Sequence, residues 1–215
     1  MRETLLRRPV SAGERFADAV RMLGLLSLVV AFAGWGVTEM TAMSLSVAAL
    51  AIPRGLGVRP ALDASFGLAL LVAAWSIVLG LYSSWTNWDL VVHTVSNGLI
   101  AAMGMVLLVR LGLVPGHLDL RHPRVSLALL TTLLGVTFGV IWEFTEWAGN
   151  RFLDSTIFVT YTDTLGDIAA GGLGSLAAGC VMTFLMARRP PERRTQPAVS
   201  IPNGGWGARH HYSGD

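Results

Sequence analysis

The stretch AMSLSVAALAI, residues 42–52, decides how many times this chain crosses a membrane. It is apolar but short, and Pro53 follows it. Taken alone it reads as a half-span or an interfacial helix. A hydrocarbon core about 30 Å thick needs about 20 mostly apolar residues in helix. Four other stretches meet that requirement: Ala64–Tyr82, Leu90–Val109, Ser126–Trp142 and Thr164–Met186. A fifth runs from Met22 to about Val37. Length alone therefore leaves five or six crossings.

The arginines decide between them. Lys and Arg collect on cytoplasmic flanks because such charges resist translocation. All 16 basic residues here are Arg, which reads as genomic composition bias. Arg2, Arg7, Arg8, Arg15 and Arg21 precede the first span, and Arg188, Arg189, Arg193 and Arg194 follow the last. Both termini are expected in the cytoplasm, so the number of crossings is even. If 42–52 crosses, Arg54 and Arg59 are inside, as are Arg110, Arg121 and Arg124, and only Arg151 is outside. The expected architecture is an all-α polytopic membrane bundle of about six helices, the second short or tilted. Trp35, Tyr82, Trp85, Trp88, Trp142, Trp147 and Tyr161 then gather at the outer boundary, a region Trp and Tyr favour.

Composition excludes other classes. The chain of 215 residues is 53% hydrophobic and only 14% charged, against about 25% charged in a soluble domain. It is neither a disordered chain nor a soluble globule. The lone Cys180 excludes an internal disulfide and a cysteine-rich metal site, and within GCVMTFLM it reads as a buried thiol. Residues 1–21 read as a basic cytoplasmic segment. Ser11 and Glu14 there form a capping box that predicts a short helix on the inner surface over 11–21. Residues 22–187 form the transmembrane domain. Residues 188–215, rich in Pro, Arg and Gly, read as a disordered cytoplasmic tail, and His210-His211 as part of it. Ala31-Phe32-Ala33 looks like a signal cleavage site, but the long charged segment before it favours a retained span. Topology and anionic lipid account for the arginine-rich ends. The bilayer is the expected partner, and nucleic acid is not.

The acids distribute differently. Glu39, Asp89, Glu143, Glu146, Asp154, Asp163 and Asp167 all fall at the outer end. Asp89 and His93 are four residues apart, Glu143 and Glu146 three, Asp163 and Asp167 four, so each pair shares one helix face. Gly171, Ser175 and Gly179 extend the Asp163–Asp167 face, and Gly139, Gly135 and Thr131 extend that of Glu143. Ser96 and Asn97 continue the polar stripe below His93. Small residues line helix–helix contacts in membranes, so the three acidic faces should converge inside the bundle. Asp89 and Asp163 also suit first helical turns. Glu39, Glu143 and Glu146, by contrast, are expected at helix C-termini, where the dipole disfavours anions. Arg151 and His93 are the only nearby cations, so either several carboxyls stay protonated or a metal ion enters.

Three readings follow. In the first, Asp89, His93, Glu143, Asp163 and Asp167 hold one divalent metal ion, with Glu146 as general base or supporting group. Such an oxygen-rich set with one imidazole suits Mg, Mn, Fe or Zn. The ion would act on, or bind, a phosphate-bearing or acyl lipid of the outer leaflet. In the second, the carboxyls and His93 pass protons or a cation in transport. In the third they form a structural network. Transport is disfavoured by the lack of ionisable residues in the inner halves of the spans and of internal repeats. Against an enzyme, there is no nucleophile motif such as GxSxG.

The segments WTNWDLVVHT, GVIWEFTEW and YTDTLGDIAAGGLGS resemble the uncharacterised YjdF-type inner-membrane protein family and, more distantly, VanZ-like membrane proteins. The likeness covers about Trp85 to Ser175. Asp89 and His93 match the Asp–His pair of that family. Trp142, Glu143 and Glu146 match its WExxE-like signature, and Asp163, Thr164 and Asp167 its acidic segment. The glutamine-containing stretch that precedes this segment in the family is absent here. The resemblance implies a multi-span protein of the bacterial inner membrane and no particular activity.

Overall fold

The computed structural model of the chain describes residues 8–114 and 122–187. Arg121, the tail arginines and His210-His211 lie outside these residues. The first helix, α1, runs Ala12–Gly34. Ser11 caps it, accepting from the Glu14 N–H at 3.2 Å. Glu14 turns its carboxylate to the Val10 N–H at 2.7 Å. The expected separate helix over 11–21 is therefore the first part of one continuous helix.

The short stretch is resolved by its proline. Helix α2, Val37–Ala49, and helix α3, Ala51–Leu56, are 13 and 6 residues long and join through Leu50. Pro53 has no N–H and its ring crowds the carbonyl four residues back, so the helix breaks before it and restarts with Pro53 in the first turn. Pro53 thus kinks this segment instead of ending it. At about 1.5 Å per residue the two pieces reach about 30 Å. Their ends lie at opposite ends of the bundle. Arg54 pairs with Asp18 of α1 at 2.9 Å, while the Thr38 hydroxyl donates to Asp154 at 3.1 Å.

Four elements follow. Helix α4 is Pro60–Val78, and Gly80, at φ 64, turns the chain into the short α5, Leu81–Ser84. Helices α6, Trp88–Arg110, α7, Pro123–Phe152, and α8, Tyr161–Ala187, complete the fold. The chain is an all-α polytopic membrane bundle. Helices α1, α4, α6, α7 and α8 are each long and apolar enough to cross alone, and α2 with α3 provides the sixth segment.

The helices form two groups. α1, α2 and α4 pack on one another, α6, α7 and α8 do likewise, and α4 against α6 joins the groups. The first group has an apolar core of Val20, Ala31, Met43, Leu71 and Ala74. At one end Arg21 bridges Asp18 and Asp63 and donates to the Leu50 carbonyl at 3.0 Å. This binds α1, the kink and the start of α4 together.

The second group is built on small residues. A Cβ at Gly174 would overlap the Thr94 carbonyl, and one at Gly98 would lie 2.7 Å from the Gly174 carbonyl oxygen. A Cβ at Gly135 would overlap Ser175. α8 therefore lies nearly backbone-to-backbone with α6 and close against α7, as GxxxG-like surfaces allow.

Aromatic rings gather at the end opposite Arg21. Trp35 meets Trp75 edge-on at 6.0 Å, and Trp85 meets Trp88 at 5.5 Å. Some of these rings pack and anchor: the Trp75 and Trp88 indole N–H groups donate to Ser27 and Ser76. Cys180 is exposed on the bundle surface, contrary to the buried thiol expected. Val181 beside it is likewise on the outer surface of α8.

Candidate metal centre

Three helices bring their acids together at the aromatic end. α6 begins at Trp88, which puts Asp89 in the first turn and His93 one turn deeper, with the His93 Nε2 3.3 Å from an Asp89 oxygen. In α8, Asp163 lies in the first turn, and its N–H reaches the Thr160 hydroxyl at 3.3 Å. Asp167 lies one turn further in. α7 extends to Phe152, well past the expected end at Trp142. Glu143 and Glu146 are therefore interior helix residues, beyond the last-turn reach of the dipole. The unfavourable dipole expected for them does not arise.

Two sets of three side chains result. One donor atom each from Asp89, His93 and Asp167 lie within 4.8 Å of one another, and so do one each from His93, Glu143 and Glu146. His93 belongs to both. It is buried, as are Glu143 and Asp167, whereas Glu146 and Asp89 are half-buried. The cluster can accommodate a single divalent ion.

The hydrogen-bond account is incomplete there. Asp167 is 2% exposed, yet neither carboxylate oxygen has a hydrogen-bond partner among the described residues. Glu143 Oε1 and Asn97 Nδ2 are likewise buried without partners. Other buried polar residues of this half are satisfied: the Thr131 and Ser175 hydroxyls bond the Leu127 and Gly171 carbonyls of their own helices. A buried carboxylate without hydrogen bonds or counter-charge is strongly disfavoured. Arg151 is exposed and makes no ion pair among the described residues, so within the cluster His93, when protonated, is the one cation among the described residues. The orphaned oxygens, their spacing and the donor chemistry all fit a divalent cation.

The other outer acids stand apart. Asp163 is half-buried and outside both sets, towards the rim. Glu39 lies in the first turn of α2, where the dipole favours it, and not at the helix C-terminus expected. Asp154 accepts from the Thr156 N–H and hydroxyl at 2.9 and 2.7 Å and from Thr38. Those bonds hold its carboxyl below the usual range.

Sequence reasoning missed one residue at the site. Tyr82, on α5, lies on the cavity wall with His93 and Glu146. Its hydroxyl donates to the Ala73 carbonyl at 3.3 Å. A phenolic hydroxyl is protonated at neutral pH and stays a donor there. No spacing in the sequence links it to the acids; the turn at Gly80 brings it back.

A family model described as "Predicted membrane protein (DUF2238)" matches residues 19–188. The chain belongs to that family. The matched DUF2238 region includes every residue of the cluster. No curated protein and no solved structure matches the chain.

Proposed function

We propose that this DUF2238 protein carries one divalent ion at the outer face of the bacterial inner membrane and uses it to bind or act on a phosphate-bearing lipid of the outer leaflet. Asp89, His93 and Asp167 are the inner ligands. Glu143 completes them, Asp163 supports from the rim and Glu146 serves as general base. The observation that carries this reading is the Asp167 carboxylate, buried with two unpartnered oxygens beside Asp89 and His93. The orientation is argued from the arginines: Arg15, Arg21, Arg54, Arg59, Arg110 and Arg124 flank helix ends opposite the cluster, and such residues collect on cytoplasmic flanks. On this reading residues 1–21 are a basic cytoplasmic segment, 22–187 the membrane domain and 188–215 a cytoplasmic tail.

The chemistry follows from placement. A bound divalent ion supplies a Lewis acid that polarises a phosphoryl oxygen and makes water more acidic. Asp89 orients the His93 ring, as partners of ligating histidines commonly do. Glu146 takes or holds a proton of a group entering the cavity. The site favours one-sided chemistry over transport. Towards the arginine end the helices are filled by Ala101, Met103, Met105 and Leu127, all buried and apolar.

Metal analysis of the detergent-purified chain tests the proposal. About one equivalent of divalent metal should accompany the wild type and be lost from Asp89→Ala and Glu143→Ala. A wild type purified without chelator and free of metal contradicts it.

A further inference from the structure

A cavity of about 270 Å³ lies between the two helix groups, beside the acidic cluster. Its floor is α4 and α6, which pack together, and its flanks are α2 and α7. α2 packs on α1 and α4, and α7 on α6 and α8, so the open side lies between α2 and α7. Both flanks are membrane-spanning segments. Leu45 and Ile141, which line the cavity, are also exposed on the bundle surface at 55% and 54%. That surface meets hydrocarbon, so the opening is to lipid and not to water.

The cavity has a polarity gradient along the membrane normal. At its aromatic end stand Glu146, His93 and Tyr82, and one turn deeper Asn97. Below them the lining turns apolar through Leu45, Ile100 and Phe138. From Val92 to Ile100 the groove runs about 12 Å at 1.5 Å per residue. A small soluble anion has no use for that apolar extension, and a fully apolar molecule leaves the polar end without partners.

We infer that this groove receives an alkyl chain of a phosphate-bearing membrane lipid, entering sideways between α2 and α7, with the headgroup at the His93–Glu146 end. The inference rests on the metal reading for the headgroup and on the groove alone for the chain. With lateral entry the alkyl chain stays in hydrocarbon while the phosphate stays at the polar, aromatic end of the cavity, where a charged group avoids the cost of an apolar surrounding. Ala42 and Ala73 leave the space the chain fills.

The test uses the full chain in phosphatidylcholine nanodiscs with Mn²⁺ and a phosphatidic acid carrying a diazirine near the middle of one acyl chain. Labelling mapped by mass spectrometry should favour Leu45, Ile100 and Phe138 at least fivefold over Leu129 and Leu133, which are exposed elsewhere on α7. Excess inorganic phosphate should not abolish that preference. Ala73→Phe, and separately Ala42→Phe, should remove it while Mn²⁺ binding, read by paramagnetic resonance, stays at wild-type level. Equal labelling of groove and outer face overturns the inference, as does full displacement by inorganic phosphate, or a crosslinked dimer with the groove unlabelled. Mn²⁺ binding without groove labelling defeats the groove alone. Groove labelling without Mn²⁺ binding supports the chain site and defeats the metal reading.

Discussion

The two helix groups treat charge in opposite ways. In the first, Asp18, Arg21, Arg54 and Asp63 lie at one end and are mutually paired. In the second, Asp89, His93, Glu143, Glu146 and Asp167 lie together with one imidazole among four carboxyls, and three buried carboxylate oxygens have no partner. Packing differs in the same direction. The first group fills its core with Val20, Met43 and Leu71, whereas the second brings backbones into contact at Gly98 and Gly174 and seats the Ser175 side chain against Gly135. Paired charge over an apolar core serves to hold helices together. Four carboxyls and one imidazole held in a close-packed frame can accommodate a divalent ion.

The largest effect should come from the close crossing. Gly174→Ala sets a methyl group against the Thr94 backbone, which cannot yield cheaply. A loss of about 3 kcal/mol is expected, read as unfolding in detergent. Gly67→Ala in the first group meets only the Val20 and Leu50 side chains, at 2.8 and 3.2 Å, and should cost about 1 kcal/mol. Equal losses would erase the difference in packing.

The ionic lock should matter less. Arg21→Ala strands Asp63 and leaves Asp18 paired only with Arg54. Removing one partner of a buried pair costs about 3–5 kcal/mol, but these side chains are 12–31% exposed and solvent screening reduces that. About 2 kcal/mol is expected, with metal content unchanged. Loss of metal in Arg21→Ala would show that the groups are not separable in this way.

The smallest effect concerns the contact that joins the groups at the aromatic end. Asp154 has a depressed carboxyl pKa when folded. Its contribution is therefore complete above the unfolded value of about 3.9 and is lost as pH falls through the lower folded value. Hydrogen exchange at the Thr156 N–H should accelerate in acid, and Asp154→Asn should remove that pH dependence. Unchanged acid sensitivity in the variant would assign it elsewhere.

Much of this was legible in the sequence. The four long spans follow from apolar length, and the inward faces of α7 and α8 follow from the spacing of Glu143, Gly139, Gly135 and Asp167, Gly171, Ser175. Pro53 misled because a proline reads as a stop, while in a first turn it lacks no bond that the helix needs. The Asp18–Arg21–Arg54–Asp63 lock was hidden because its members come from three helices and carry no common spacing. Glu39 changed role because two glycines, Gly34 and Gly36, end one helix and begin the next just before it. The unpartnered oxygens of Asp167 depend on the rotation of three helices about one another, which no single stretch encodes.

The most direct test of the metal centre sets Asp167→Asn beside the wild type. Thermal unfolding in detergent is followed with chelator and with Mn²⁺. An orphaned carboxylate opposes folding without metal and favours it with metal. Asp167→Asn should therefore unfold at the same or a higher temperature than wild type in chelator, and should lose the upward shift that Mn²⁺ gives the wild type. A wild type that Mn²⁺ does not stabilise, together with an Asp167→Asn protein less stable in chelator, would contradict the metal centre and make Asp167 a structural residue.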